Sequence, residues 1–264
     1  MNNLAATITP RATALRKTSG IPIAMLTAYD YPSARLLEEA GIDWILVGDS
    51  LGMVVLGYPD TTSVTLADMV HHTSAVARGL SHTPLIADLP IGTYNTEETA
   101  LNSARELLKA GAHAVKLEGG VSHCAQIAAL SAAGIPVMGH IGMLPQSVRE
   151  EGGYKIKGKT PEQGDALVAD ALAVEAAGAF SMVVELVQPE TARRIQMAVN
   201  IPTIGIGAGQ YCDGQVLVTH DLVGSFPWFR PKFVTPAASL GEGLRTAAQQ
   251  WATSLKETKA NREH

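Results

Sequence analysis

The chain is expected to fold as a single α/β domain over residues 1–264, an eightfold (β/α)8 barrel. Three observations predict this. Short apolar runs alternate with helix-forming segments about eight times, at spacings of roughly 20 to 45 residues. The runs are continuous rather than alternating, as in parallel strands buried on both faces. The length of 264 residues is close to the about 250 typical of such barrels.

The elements follow in order. Thr9-Pro10 reads as an N-cap and a first helical position, opening a short helix within about residues 10–19. The first 29 residues carry Arg11, Arg16 and Lys17 and no acid, a bias shared by transit peptides; the capped helix is the simpler reading. Ile21 to Tyr29 is the first strand, and Pro32 to Ala40 the helix after it, stopped by Gly41. Trp44 to Asp49 is the second strand, followed by a Gly- and Thr-rich loop from Gly52 to Thr65 and a helix from Leu66 to about Gly79. Pro84 to Pro90 is the third strand; Thr96 and Thr99 open the next helix, closed by Gly111. The fourth strand is Ala114 to Glu118, its helix Ser122 to Ala133, and the fifth strand Ile135 to His140. Residues 141 to 159 form the longest irregular stretch, a length that usually signals a working loop. A helix from Pro161 to Gly178, a strand from Ser181 to Glu185 and a helix from Pro189 to Val199 come next. Ile201 to Gly209 is the seventh strand and turn, and Gln215 to Val218 the eighth. Only Gln210 to Gly214 join these last two, too short for a normal crossover helix. Leu240 to Leu255 closes the chain as a helix, with a charged tail from Lys256 to His264 expected to fray.

Composition narrows the function. A net charge of −5 argues against a general nucleic-acid surface. No apolar stretch nears the roughly 20 residues of a membrane-spanning helix. Two cysteines, Cys124 and Cys212, give no disulfide framework and point to a reducing compartment. Charged residues make up only 17%, low for a lone monomer, so subunit contacts are expected to cover part of the surface. Gly205-Ile-Gly207-Ala-Gly209 lacks the spacing and following helix of a dinucleotide fingerprint, and close packing at the barrel mouth explains it better.

The acids carry the chemistry. Asp49, Asp88 and Glu118 end three consecutive strands, at the face where barrels of this kind hold their active sites. Ala114, Lys116 and Glu118 share one strand face, so an inward Glu118 brings Lys116 inward one layer deeper. Three converging carboxylates need a cation and a buried lysine needs an anion. Oxygen donors without a Cys or His pair favour Mg²⁺ over Zn²⁺, leaving positions for a 2-oxo acid. Enolate formation then needs a separate base, and Glu185 ends the sixth strand. Other roles stay open. Each acid can cap a helix, Lys116 can snorkel outward, Glu185 can pair with Arg193 or Arg194, and His140 is either a hydrogen-bonded core histidine or a substrate contact.

Several segments together resemble the ketopantoate hydroxymethyltransferase family. They are Thr27-Ala-Tyr-Asp-Tyr-Pro32, Val47-Gly-Asp-Ser-Leu-Gly-Met53, Ala87-Asp-Leu-Pro90, Val115-Lys-Leu-Glu-Gly-Gly120, Pro136-Val-Met-Gly-His140, Gly152-Gly-Tyr154 and Gly205-Ile-Gly-Ala-Gly209. The resemblance runs from about Leu15 to Trp251. It implies a barrel of the phosphoenolpyruvate/pyruvate-binding type and a Mg²⁺-dependent transfer of a hydroxymethyl group from 5,10-methylenetetrahydrofolate to 3-methyl-2-oxobutanoate, giving 2-dehydropantoate on the route to pantothenate. By motif it implies Asp49 and Asp88 as metal ligands with Glu118 acting through water. It implies Asp49, Ser50, Asp88 and Lys116 at the 2-oxo acid and Glu185 as proton acceptor. It also implies a cytoplasmic homo-oligomer, often a decamer. Arg149-Glu150-Glu151 and Gly224 to Arg230 are less typical, and no folate residue is readable. The rival expectation is a carbon–carbon lyase of the same barrel superfamily, which the absence of a Cys-rich catalytic loop disfavours.

Overall fold

The computed structural model describes residues 8–260. The start of any targeting segment and the last four residues of the expected tail lie outside them. Eight parallel strands close into a barrel in chain order: β1 (Ile23–Thr27), β2 (Trp44–Val47), β3 (Leu85–Asp88), β4 (Ala114–Lys116), β5 (Val137–Gly142), β6 (Ser181–Glu185), β7 (Thr203–Ile206) and β8 (Gly214–Leu217). β8 returns to β1 in the register Ile23↔Gly214. The first compact unit ends at Leu217 and carries α1 (Pro10–Thr18), α2 (Tyr31–Glu39), α3 (Leu51–Val54), α4 (Leu66–Ala77), α5 (Glu97–Lys109), α6 (Cys124–Ala132), α7 (Val148–Glu151), α8 (Pro161–Ala176) and α9 (Pro189–Ala198).

Period-two alternation divides the apolar residues between two cores. Met25, Leu46, Ile86, Ala114, Met138, Val183, Ile204 and Val216 fill the barrel. Ile45, Leu85, Val115, Leu117, Val137 and Val184 face outward, packed with Met69, Leu107, Ile127 and Ile195 of the helices. Strands buried on both sides cannot show an amphipathic pattern, which is why they read as continuous apolar runs.

One end of the interior is filled by Trp44 against Phe180, their rings edge-to-face at 5.8 Å, with Ile8 in the same cluster. The helix α1 is fixed there by specific bonds. Thr9 caps it by accepting from the Ala12 N–H at 3.3 Å, and the Thr13 hydroxyl donates to the Phe180 carbonyl at 2.7 Å. Lys17 Nζ donates to the carbonyls of Gln196 and Val199 at 2.6 and 2.8 Å, satisfying acceptors that the end of α9 leaves open.

The short connection between β7 and β8 is a helix-free loop over residues 207–213, and the strands still pair in parallel. A four-residue strand rises only about 13 Å, a return that seven extended residues can span. Asp213 does the anchoring a helix would otherwise do. Its carboxylate accepts from the Thr203 N–H at 2.8 Å and from Gln196 Nε2 at 2.7 Å, while its carbonyl accepts from the Ile23 N–H at 3.0 Å.

Other boundaries differ locally. Residues 52–65 include part of α3 and a 3₁₀ turn at Thr61–Ser63; residues 141–159 include the end of β5, a turn at Pro145–Ser147 and α7. The second unit begins at Val218 and holds α10 (Thr219–Leu222) and α11 (Leu240–Ala260). The helix α11 runs past the expected end at Leu255, so Lys256 to Ala260 is helix rather than frayed tail. Lys256, Glu257 and Lys259 are good helix formers and no Gly or Pro interrupts them.

Candidate active site

The strand ends deliver the predicted residues to one mouth of the barrel. Asp88 and Glu185 are the last residues of β3 and β6, while Asp49 and Glu118 lie just beyond β2 and β4. Because Ala114 faces the barrel interior and Val115 and Leu117 face the helices, Lys116 and Glu118 point inward. His140 lies within β5, which continues past the expected end to Gly142.

Lys116 is 4% exposed, and its Nζ donates to Asp88 Oδ1 at 2.6 Å. The other oxygen of Asp88 accepts from the Asp49 N–H at 3.1 Å. Asp49 Oδ2 accepts from Gln146 Nε2 at 2.8 Å, and Glu118 Oε2 accepts from the Gln146 N–H at 3.0 Å. His140 is buried between two acids, with Nε2 3.3 Å from Glu185 Oε2 and Nδ1 3.6 Å from Glu118 Oε1. Neither ring nitrogen makes a hydrogen bond. Ser50 Oγ lies 2.8 Å from Tyr29 Oη. Glu185 is the most open of the four acids, its side chain 12% exposed. It does not pair with the arginines of α9, since Arg193 binds Glu190 and Arg194 binds Asp165.

Four carboxylates thus share the mouth with one ammonium. Burial, then the charge of Asp88, pushes Asp49 up to about 7. Burial and Asp49 hold Glu118 well above the usual carboxylate range. Burial pushes Glu185 up to about 8 against the opposing pull of Lys116. Burial alone would lower Lys116, but Asp88, Glu118 and Asp49 outweigh it and hold the ammonium above its ordinary value. Burial and Lys116 keep His140 far below its ordinary value. Its ring is therefore neutral, and its approaches to Glu118 and Glu185 are not ion pairs.

The β6 end is shaped by backbone. Leu186, directly after Glu185, has φ 47°, the one positive value outside glycine among the described residues. Such a conformation persists only where neighbours enforce it; here the Leu186 N–H donates to the Ile206 carbonyl and its own carbonyl accepts from the Lys157 N–H. Gly142 has φ 97°, and a Cβ there would lie 2.3 Å from the Glu185 carbonyl oxygen. Gly142→Ala is expected to cost at least about 1–3 kcal/mol, read from the denaturation midpoint, and to lower activity by moving Glu185.

Sequence reasoning missed Gln146, Tyr94 and Tyr29. The long loop pointed to the neighbourhood of Gln146, but an uncharged glutamine carries no signal of its own. Tyr94 and Tyr29 are buried aromatics, and only their hydroxyl partners distinguish them from core residues.

The donor chemistry fits a hard divalent cation. Glu118 Oε1 is buried without a hydrogen-bond donor, and among the described residues the ammonium of Lys116 is the cation that faces these four acids. The donors are carboxylate oxygens, the set suited to Mg²⁺. Among the described residues no three His, Cys, Asp or Glu side chains form a complete metal-binding group; oxygens of Asp49, Asp88 and Glu118 are engaged by Lys116 and Gln146 instead. This suits a cation that keeps several water ligands better than an all-protein cage.

Among solved structures the chain resembles 2,3-dimethylmalate lyase, a member of the PEP mutase/isocitrate lyase superfamily, with a TM-score of 0.64 at 19% identity over 97% of this chain and 86% of that one. It also resembles phosphonopyruvate hydrolase in complex with oxalate and Mg²⁺, with a TM-score of 0.62 at 18% identity over 80% of each chain. Identities this low speak to fold alone: the molecule is a closed (β/α)8 barrel, the architecture the sequence predicts. Sequence similarity carries further. The family model for ketopantoate hydroxymethyltransferase matches residues 7–260, and the chain belongs to that family. The 3-methyl-2-oxobutanoate hydroxymethyltransferase of Clostridium botulinum (strain 657 / Type Ba4) is 49% identical over 92% of this chain and 89% of its own length. That of Ignicoccus hospitalis is 50% identical over 90% of each.

Proposed function

We propose that the protein transfers a hydroxymethyl group from 5,10-methylenetetrahydrofolate to 3-methyl-2-oxobutanoate, giving 2-dehydropantoate. The observation that carries this reading is the inward Lys116–Asp88 pair at 2.6 Å, facing the more open Glu185 across a mouth rich in acids, in a chain about half identical to enzymes of that name. Asp49 and Asp88 would hold Mg²⁺, with Glu118 acting through water; the cation would supply Lewis-acid polarisation of the substrate carbonyl.

The chain's own groups do the rest. Lys116 offers its ammonium to the substrate carboxylate, and Ser50, held by Tyr29, offers a hydroxyl beside it. Asp49 and Asp88 border the same pocket. Glu185 takes the proton from C3 and leaves an enolate. His140, neutral and wedged between Glu118 and Glu185, keeps water from the base and contacts the substrate through a ring nitrogen. The C3 carbanion centre bonds to the one-carbon unit and both bonds from that carbon to the folate nitrogens break; water supplies the hydroxyl oxygen, and the proton held by Glu185 and one from the water go to the two nitrogens as tetrahydrofolate leaves.

The test is a turnover assay with folate and metal omitted in turn. Product is expected only when both are present, with chelation abolishing turnover and Mg²⁺ restoring it. Turnover of the 2-oxo acid without folate, or none with the full mixture, would overturn the reading. The low charged fraction of 17% supports a homo-oligomer, while the decamer and the cytoplasmic setting rest on the family resemblance alone. Among the described residues no helix is long and apolar enough to cross a membrane.

A further inference from the structure

We infer that Gln146 is the positioning residue that sets the arrangement of Asp49 and Glu118, and that Tyr94 acts through it by fixing its amide. This rests on the reading of those acids as a cation-holding group. Gln146 is 5% exposed and uses both its backbone and its side chain. Its N–H donates to Glu118 Oε2 at 3.0 Å. That donor is free for a local reason: Gln146 is the second residue of the Pro145–Ser147 turn, where N–H groups have no partner within the turn, and Pro145 has none to offer. Its side-chain Nε2 donates to Asp49 Oδ2 at 2.8 Å and to the Leu89 carbonyl at 3.0 Å. Its Oε1 accepts from the Tyr94 hydroxyl at 2.5 Å.

The amide can sit only one way. The Leu89 carbonyl can only accept, so the NH₂ must face it and the Asp49 oxygen beside it, and the amide oxygen must face Tyr94. A buried polar network in which each member is satisfied rigidifies its site. Gln146 thereby ties the residue after β3 and the acid after β2 to its side chain, and the acid after β4 to its backbone. A glutamine donates to carboxylates without cancelling their charge, as a second lysine would, and so leaves that charge for a cation. A residue one shell from a metal ligand typically changes metal affinity when removed.

The test uses the full chain and Mn²⁺ alone as the probe, with free Mn²⁺ followed by its EPR signal in wild type, Gln146→Met, Tyr94→Phe and the double variant. Gln146→Met is expected to weaken Mn²⁺ binding about 10- to 100-fold. Tyr94→Phe should weaken it less, about 2- to 10-fold, the loss of one hydrogen bond. The double variant should be no weaker than Gln146→Met, because Tyr94 has nothing to hold once the amide is gone. Mn²⁺ affinities within twofold of wild type, or losses that multiply in the double variant, would overturn the inference. Should Gln146→Met fail to fold, Tyr94→Phe decides alone: unchanged Mn²⁺ affinity overturns it. A wild type that binds no Mn²⁺ overturns the cation reading itself, an outcome distinct from variants that bind like wild type.

Discussion

Glu185→Gln is expected to slow exchange of the C3 proton of 3-methyl-2-oxobutanoate by about 10²- to 10⁴-fold, the usual contribution of a general base. The substitution keeps the shape of a residue at the end of β6 and removes its capacity to accept a proton. Burial pushes the Glu185 carboxyl up to about 8, which brings it nearer in basicity to its task than an ordinary glutamate. Its position at the opening, 3.3 Å from a neutral His140, leaves it reachable by substrate. Affinity for the 2-oxo acid should change little. The measurement is loss of the C3–H NMR signal in D₂O; exchange at the wild-type rate would remove Glu185 as the base.

Lys116→Met should have the larger effect on the protein itself. It takes away the ammonium that faces Asp88, Asp49 and Glu118 while leaving those acids buried. Breaking a buried ion pair from one side costs about 3–5 kcal/mol, and the loss should appear in the urea midpoint. The effect has a defined pH sense. Asp49 and Glu185 already have folded values raised to about 7 and about 8, so between about 4, where such groups titrate when unfolded, and 8 the folded protein binds more protons than the unfolded one. Stability before metal addition should therefore fall as pH rises through that window. Lys116→Met raises the acids further, so its penalty should be largest near pH 8 and shrink toward pH 5. A penalty independent of pH would mean that the acids do not feel Lys116.

Much of this was legible in the chain because it depends on pattern. Strands buried on two faces must be apolar throughout, and the glycines and threonines between them mark where helices stop and start. The inward turn of Lys116 follows from period-two geometry alone. What stayed hidden depends on partners distant in sequence. Gln146 meets Asp49 across 97 positions, and nothing about a glutamine after Pro145 announces that pairing. The β7–β8 loop looked too short because the role of Asp213 as a substitute anchor is invisible until Thr203 and Gln196 are beside it. The fifth strand reads as ending at His140, two residues short of Gly142, where its pairing with β6 carries it.

The pairing of β1 with β8 carries a consequence for synthesis. Ile23 meets Gly214 only after roughly 190 further residues have been made, a long-range contact of the kind that folds slowly. Until then β1 and β7 present bare edges to other nascent chains. The growing polypeptide must be shielded from its neighbours on the ribosome, and truncation before Gly214 should yield aggregates rather than a smaller working enzyme.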